Sequence, residues 1–342
     1  MNDWLTKSKN QFQDKIFDFL WRQWNILGVA GTTKPEDNRI IDPEALLLFS
    51  LSVCRHEPRL FDEIIDWLFQ NGQFINVQRL GQIQKKYDFN CASQLSAIAE
   101  LLAKKASYRL KWSGLSKKYY LKDKEPLFFD QEGNPLPCPN DENANPEFLN
   151  HGLRRGQINL RGYSQSFDLQ TPACLLLRLR ALLGINARAE ILCLLASAKE
   201  VHPSQAARKI SYYQKTVQTT LVEMALSGVI LTRTSKKEKF YRLKPGILDA
   251  LLKPQDRSPQ WINWPPLLKT VEILWKRLSE LSGQRIDSLL LSSELKKLMS
   301  SVKQYSSDEA ISEISIDENL PPEDFDKHFQ NALVLLSSKL DQ

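Results

Sequence analysis

The first helix that the pattern of apolar positions predicts spans residues 4–27. Phe12, Ile16, Leu20 and Trp24 recur there at helical spacing and form one apolar stripe. Such a stripe is unfavourable on a helix left alone in water. We therefore predict that these four side chains pack on the following domain or form the interface of a homodimer. Binding to a membrane surface is the alternative for a helix this rich in aromatic residues.

Residues 43–106 continue the helical pattern in four segments. Pro43 and Pro58 stand where proline favours the first turn of a helix. The two later helices are predicted near 77–87 and 92–106, where leucine and isoleucine recur at helical spacing. This block is therefore predicted to contain three short helices and a longer one.

After residue 106 the pattern changes to alternation. Tyr108, Leu110 and Trp112 alternate with other residues, and turn-forming residues cluster at 130–134. Both features are typical of short β-hairpins, which we predict within residues 107–138. Helices followed by hairpins would make a second helix-turn-helix-like domain.

A segment between Pro137 and Asn150 has little apolar content and is rich in Pro, Asn, Asp and Glu, which is typical of a linker or long loop. Another helix is predicted near 267–282, and the last forty residues are acidic. We divide the chain into an N-terminal amphipathic helix, a helical domain, a linker or long loop, a second compact domain and a helical C-terminal region with an acidic tail, over residues 1–38, 39–138, 139–171, 172–253 and 254–342.

The most regular succession of elements lies between residues 187 and 243. Its order is helix, helix, turn, helix, strand, turn and strand. Ala206 and Ala207 are small enough for two helices to cross closely, and Gly228 closes the third helix as a left-handed residue would. The helices are predicted over 187–198, 203–210 and 214–226, and the strands over 229–233 and 239–243.

This order resembles the winged helix-turn-helix of the ArsR and MarR families of bacterial regulators. The resemblance spans under a quarter of the chain, and its flanks resemble a group of bacterial winged-helix proteins described only as transcriptional regulators. It implies a mainly α protein with short β-hairpins. Residues 39–138 could be a second winged helix, to judge from their own succession of helices and hairpins. The residues that carry it are Ala206-Ala207, Thr216-Val217, Leu221, Met224, Gly228-Val229-Ile230 and Tyr241-Arg242-Leu243.

In a helix-turn-helix the third helix enters the major groove, and its first turns reach the base edges. Four outward positions there could read bases, since glutamine can pair with adenine and lysine with guanine: Gln214, Lys215, Gln218 and Thr219. The following hairpin, or wing, carries five basic residues that can hold phosphate: Arg233, Lys236, Lys237, Lys239 and Arg242. These residues predict double-stranded DNA as the partner.

A second basic stretch lies between residues 104 and 124, with aromatic residues among the charges. Basic residues with interleaved aromatics can hold phosphate and stack on bases, whereas the alternative is an ordinary solvated hairpin. The residues of this possible second DNA patch are Lys104, Lys105, Arg109, Lys111, Lys117 and Lys118.

Composition changes this picture little. The 342 residues are 42% hydrophobic and 25% charged, with a formal charge of +6, as in a mildly basic globular protein. We expect no membrane segment, no metal site and no cofactor, and the five scattered cysteines are expected to be free thiols of a cytoplasmic protein. Catalytic motifs are not recognisable, so we do not expect an enzyme.

The sequence therefore predicts a cytoplasmic transcriptional regulator, repressor-like, that binds specific double-stranded DNA as a homodimer. The alternative is an antitoxin-like or scaffold subunit that uses its winged helices to hold a protein partner. Salt dependence would distinguish the two functions, because contacts to phosphate weaken steeply as the salt concentration rises.

Overall fold

The computed structural model describes residues 3–30, 37–116, 123–169, 171–249, 258–284, 286–305 and 320–341. This part of the chain is predominantly helical, which confirms the mainly α prediction. Its α-helices, α1 to α13 in chain order, are Asp3–Ile26, Pro43–Val53, Pro58–Asn71, Val77–Tyr87, Ala92–Lys105, Pro146–Leu149, Leu175–Leu183, Ala187–Ser197, Pro203–Ile210, Gln214–Leu226, Trp264–Ser282, Ser288–Val302 and Pro322–Asp341.

Strands are short and form two two-stranded sheets within the described residues. The first sheet pairs β1, Glu125–Pro126, with β2, Leu153–Arg154, in parallel. The second pairs β3, Ile230–Ser235, with β4, Glu238–Leu243, as an antiparallel hairpin. A single bridge between Val201 and Tyr241 ties the chain before α9 to this hairpin.

Helix α2 lies at the centre of the larger of two hydrophobic cores. Asp42 caps it by accepting a hydrogen bond from the Ala45 N–H, and Pro43 occupies the first turn. Every residue of α2 is buried, with α4, α5 and α11 packed around it. A helix that is apolar all round requires such enclosure.

This larger core unites segments that the sequence divided. It includes residues of α1, of the helices α2 to α5, and of α11 to α13. Arg22 and Arg39 donate hydrogen bonds to the last carbonyls of α13, where cations oppose the negative end of the helix dipole. The N-terminal helix, the helical domain and the C-terminal region therefore form one body, which we call the helical body.

The predicted dimer stripe on α1 belongs to this core. Phe12, Ile16, Leu20 and Trp24 are all buried within the protomer, and the Trp24 indole donates a 2.8 Å hydrogen bond to the Ser50 hydroxyl. The assignment of these four side chains to a dimer interface is wrong, because α11 and α13 already cover the helix. Their packing on the neighbouring domain, the other expectation, is confirmed.

The hairpin predicted after residue 106 is also wrong where the structure describes it. Arg109–Lys111 is a 3-10 helix followed by turns, and alternation does not sort the side chains onto two faces. Trp112 is 0% exposed whereas Leu110, two residues before it, is 84% exposed. Lys117 and Lys118 lie outside the described residues. The predicted turn at 130–134 is present, flanked by a bridge between Phe129 and Pro135.

The described part of the predicted linker over 139–171 mostly lacks regular secondary structure but is fixed to the helical body. Arg155 forms an ion pair of 2.7 Å with Asp62, and Asp66 accepts hydrogen bonds from the Gly162 and Ser164 N–H groups. After it, α7 leads into the second, smaller core, which lies between residues 175 and 248 and also takes in Ile40.

Candidate nucleic-acid interface

Residues 187–243 form three helices and a hairpin around the smaller core, and we call them the three-helix–hairpin unit. The helices α8 to α10 and the strands β3 and β4 follow in the predicted order, and the bounds of α9 and α10 are those predicted. The hairpin extends from Ile230 to Leu243, and each of its strands is one residue longer than expected. Val217, Leu221 and Met224 of α10 are buried between the other elements.

Local signals explain where these helices begin and end. Asn186 caps α8 by accepting a hydrogen bond from the Arg188 N–H, and His202 caps α9 by accepting one from the Ser204 N–H. Ser211 ends α9 in the left-handed region at φ 56°. Only Ser211, Tyr212 and Tyr213 separate the last residue of α9 from the first residue of α10.

Helix α10 brings the four predicted base-reading residues together on one exposed face. Gln214, Lys215, Gln218 and Thr219 are all exposed, and they occupy the first two turns of the helix. Positions three and four apart share a helix face, so these side chains lie next to each other at its N-terminal end. Tyr213, directly before them, is also exposed.

The five basic residues of the hairpin lie on three different parts of it, namely its two faces and its tip. Leu231, Arg233 and Ser235 of β3 lie opposite Arg242, Phe240 and Glu238 of β4. Because side chains alternate between the faces of a strand, Arg233 and Arg242 share one face, and Lys239 lies on the other face with Tyr241. Lys236 and Lys237 form the turn at the tip, with Lys236 at φ 55°. All five basic residues are exposed.

One of these cations is already engaged within the protein. Arg233 Nε donates a 2.9 Å hydrogen bond to the Glu200 carboxylate and lies over the Phe240 ring at 4.9 Å. The hydrogen bond and charge of Arg233 lower the pKa of Glu200, which keeps the pair ionised. Glu200 therefore competes with any phosphate for Arg233.

Sequence reasoning overlooked the outer face of α9. Gln205, Arg208 and Lys209 are exposed there, opposite Ala206 and Ile210, which are buried. The helical spacing of the small and apolar residues contained this information. The three-helix–hairpin unit contains ten basic and four acidic residues, an excess of six that equals the net charge of +6 on the whole chain. The unit therefore carries the protein's positive charge.

The possible second DNA patch is less available. Lys104 pairs with Glu100 at 2.6 Å and lies 3.8 Å from Glu147, and Lys105 lies 3.9 Å from Glu147. Lys111 donates a hydrogen bond to the Gln73 carbonyl, and burial lowers its pKa to about 8. Arg109 is exposed. Carboxylates and backbone thus occupy much of the charge that the sequence assigned to this patch.

A network of buried charges joins the three-helix–hairpin unit to the helical body. Arg180 of α7 lies 2.6 Å from Glu44 of α2 and 2.7 Å from Glu190 of α8. Arg79 of α4 lies 2.6 Å from Glu44 and also pairs with Asp42. Burial would raise the pKa of Asp42, but the charge and hydrogen bonds of Arg79 hold that pKa below its usual value. We call these five residues the junction network.

A charged cleft of about 460 Å³ lies on the helical body, between α11, α12 and residues 88–90. Lys269 and Glu272 at its wall pair at 2.6 Å, and Arg277 and Lys297 both pair with Glu294. Its charges are thus largely satisfied by one another. Among the residues that the structure describes, no three His, Cys, Asp or Glu side chains are grouped so that they could hold a metal ion.

Comparison with protein-family models, with curated proteins and with solved structures finds no match to the chain. Across the described ranges, none of the helices combines the length and apolar character needed to span a membrane.

Proposed function

We propose that the three-helix–hairpin unit is a winged helix-turn-helix that binds double-stranded DNA, and that the protein is a cytoplasmic transcriptional regulator of the repressor type. The observation that carries this proposal is the exposed, non-acidic N-terminal face of α10 beside a basic hairpin in the same unit. A polar face that reads bases and an adjacent cationic arm that holds phosphate are the two parts that sequence-specific binding requires.

In this proposal α10 lies in the major groove. Gln214 and Gln218 would form paired hydrogen bonds with adenine, and Lys215 would bond to guanine. Lys236 and Lys237 at the tip of the wing would hold the sugar-phosphate backbone. Arg208 and Lys209 on α9 would contact phosphate on the side where the first helix of the motif crosses the backbone.

The proposal retains a homodimer, because helix-turn-helix dimers place two reading helices on half-sites about one helical turn apart. Its interface must use a surface other than the buried stripe of α1. Two exposed side chains on the C-terminal half of α10 are candidates, Val222 at 43% and Leu226 at 84% exposure.

A salt series tests the proposal. A fluorescein-labelled duplex of random sequence, about three helical turns long, is titrated with the pure protein, and anisotropy gives Kd at several salt concentrations. We expect log Kd to rise linearly with log salt, because bound phosphates release counterions as they are neutralised. A flat response, or no binding at low salt, would contradict DNA binding.

The second candidate is an interaction subunit, an antitoxin-like or scaffold protein. The exposure of Val222 and Leu226 favours this function, since apolar side chains on an exposed helix face can form the centre of a contact with another protein. Replacing both with serine separates the two functions. Under the DNA-binding function this variant should still bind a duplex at low salt, more weakly than the wild-type protein because each half-site would be bound by a monomer. Under the second function, capture of a protein partner at these two positions should be abolished.

A further inference from the structure

The turn that leads into α10 is held partly from outside its own unit. Within the unit, the Tyr212 N–H donates to the Ala207 carbonyl at 3.0 Å, which only continues the end of α9. The Tyr213 side chain makes no capping hydrogen bond to α10, and the Ser211 hydroxyl has no partner among the described residues. The Tyr212 ring packs on the smaller core, and its hydroxyl lies between Glu190 of the unit and Asn76 of the helical body.

Two residues at the start of α4 supply the missing contacts. Asn76 Nδ2 donates a 2.6 Å hydrogen bond to the Tyr212 hydroxyl, and Arg79 Nε donates a 2.8 Å bond to the carbonyl of Ile210, the last residue of α9. Asn76 also caps α4, because its Oδ1 accepts a hydrogen bond from the Arg79 N–H. The start of α4 therefore holds the turn at two points, the residue that precedes it and its middle residue.

These donors are fixed in place by the junction network. The two other guanidinium nitrogens of Arg79 bond to Asp42 and Glu44, and the side chain is 1% exposed. On the other side, the Tyr212 hydroxyl donates to Glu190 at 3.4 Å, and Arg180 holds Glu190. Burial raises the pKa of Tyr212, which keeps its hydroxyl protonated and able to donate.

Any shift of this turn would move the reading face directly. Gln214 and Lys215 follow Tyr212 by only two and three positions. Hydrogen bonds to base edges tolerate heavy-atom distances of about 2.7–3.2 Å, so a small displacement breaks them. Flexible lysines at the wing tip can follow a phosphate over a greater distance, and their attraction depends little on direction.

We infer that Asn76 and Arg79 are positioning residues that fix the turn before α10 and so determine its base preference, although neither is placed to contact DNA. This inference rests on the proposed function. If Asn76 and Arg79 had a purely structural role, their loss would weaken binding to all duplexes alike. A positioning role lowers discrimination between duplexes and leaves sequence-independent binding unchanged.

Two variants break the same hydrogen bond from opposite sides without removing a buried charge. Tyr212→Phe removes the hydroxyl and keeps the ring, and Asn76→Ser keeps a capping oxygen for α4 but cannot reach Tyr212. Tyr305→Phe, in which the half-buried tyrosine packs on Tyr87 of the body, is the matched control. Melting temperatures of all variants show whether each is folded.

The probe is a 30-base-pair duplex enriched from a random pool by the wild-type protein, compared with a scrambled duplex of the same composition. We expect each junction variant to reduce the ratio of the two affinities roughly three- to tenfold, as removal of one good hydrogen bond to a base would. The double variant should lose no more than the larger single effect, and Kd for the scrambled duplex and its salt slope should stay unchanged.

Amide hydrogen exchange provides a readout that needs no DNA, and exchange at residues 211–215 should be faster in both variants. An unchanged affinity ratio in a wild-type background that discriminates would overturn positioning and leave DNA binding intact. Equal losses on both duplexes would also overturn it, because they indicate a structural role. If the wild-type protein binds neither duplex, the proposed function fails first and the positioning claim fails with it.

Discussion

The protein uses arginine and glutamate in two opposite ways, at the junction network and on the exposed face of the three-helix–hairpin unit. Arg180 pairs with Glu190 where the side chains of both are 0% exposed, whereas Arg188 pairs with Glu223 where both are about half exposed. The two N–O distances are nearly equal, 2.7 Å and 2.6 Å. Distance alone therefore does not tell what an ion pair contributes.

Solvent makes the difference between the two regions. Buried charges have lost hydration, so each depends on its partner, and removing one leaves the other uncompensated. Exposed charges remain hydrated and can exchange a carboxylate for a phosphate at little cost. The junction is therefore suited to fixing one orientation of α10, and the exposed face is suited to binding a polyanion.

The largest expected effect comes from breaking the junction. Arg180→Ala leaves Glu44 and Glu190 buried without that cation, and we expect the free energy of unfolding to fall by about 3–5 kcal/mol. Urea denaturation followed by tryptophan fluorescence measures it. Arg188→Ala is the matched control, since it removes an exposed pair worth at most about 1 kcal/mol. Similar losses in the two variants would show that burial does not separate the regions.

The exposed region was the more predictable from sequence. The bounds of α9 and α10 follow from features within a few residues, such as Pro203 at a first turn and the buried spacing of Val217 and Leu221. The exposure of the base-reading and wing residues agrees with the prediction, since an outward position on a helix follows from its neighbours on the same helix. Whether this face binds DNA remains a prediction.

The junction was not predictable in the same way. Glu44 and Arg180 are 136 positions apart, and Arg79 and Ile210 are 131 apart, so neither contact leaves a periodic signal. Arg180 interrupts the apolar run of α7, which indicates a buried charge but not its partner. For the same reason the stripe on α1 predicted burial correctly but could not identify α11 and α13 as the elements that cover it.

The substitution Gln218→Ala tests whether the exposed face of α10 reads bases. If Gln218 makes a paired hydrogen bond with adenine, discrimination between the enriched and scrambled duplexes should fall by about 1–3 kcal/mol. Competition anisotropy measures the affinity ratio. Gln70→Ala, an exposed glutamine on α3 of the helical body, controls for the removal of a surface amide. Equal ratios in the variant and the wild-type protein would remove Gln218 from the reading face.

The double substitution of Lys236 and Lys237, each by glutamine, tests whether the wing holds the sugar-phosphate backbone of DNA. Both duplexes should bind more weakly to a similar extent, and the salt slope should flatten by about one unit for each phosphate that the wing no longer neutralises. Lys85 and Lys86, two adjacent exposed lysines on α4, give a control with the same change of charge. If the wing variant loses discrimination while Gln218→Ala retains it, the roles of helix and wing are reversed.

The smallest expected effect is a gain in DNA affinity, and it comes from releasing Arg233 from its ion pair with Glu200. Glu200→Gln releases Arg233 from its carboxylate partner and keeps the size of the side chain. Binding to any duplex should then tighten roughly two- to fivefold at low salt, in line with the weak energies of exposed pairs. The salt slope should steepen, because Arg233 becomes free to displace counterions from phosphate.

Glu223→Gln makes the same change of charge but releases Arg188, which lies towards the other end of α10 from the reading face. A gain in Glu200→Gln alone would place Arg233 at the DNA. An equal gain in both variants would mean that only net charge matters, and no gain in either would remove this arginine from the interface.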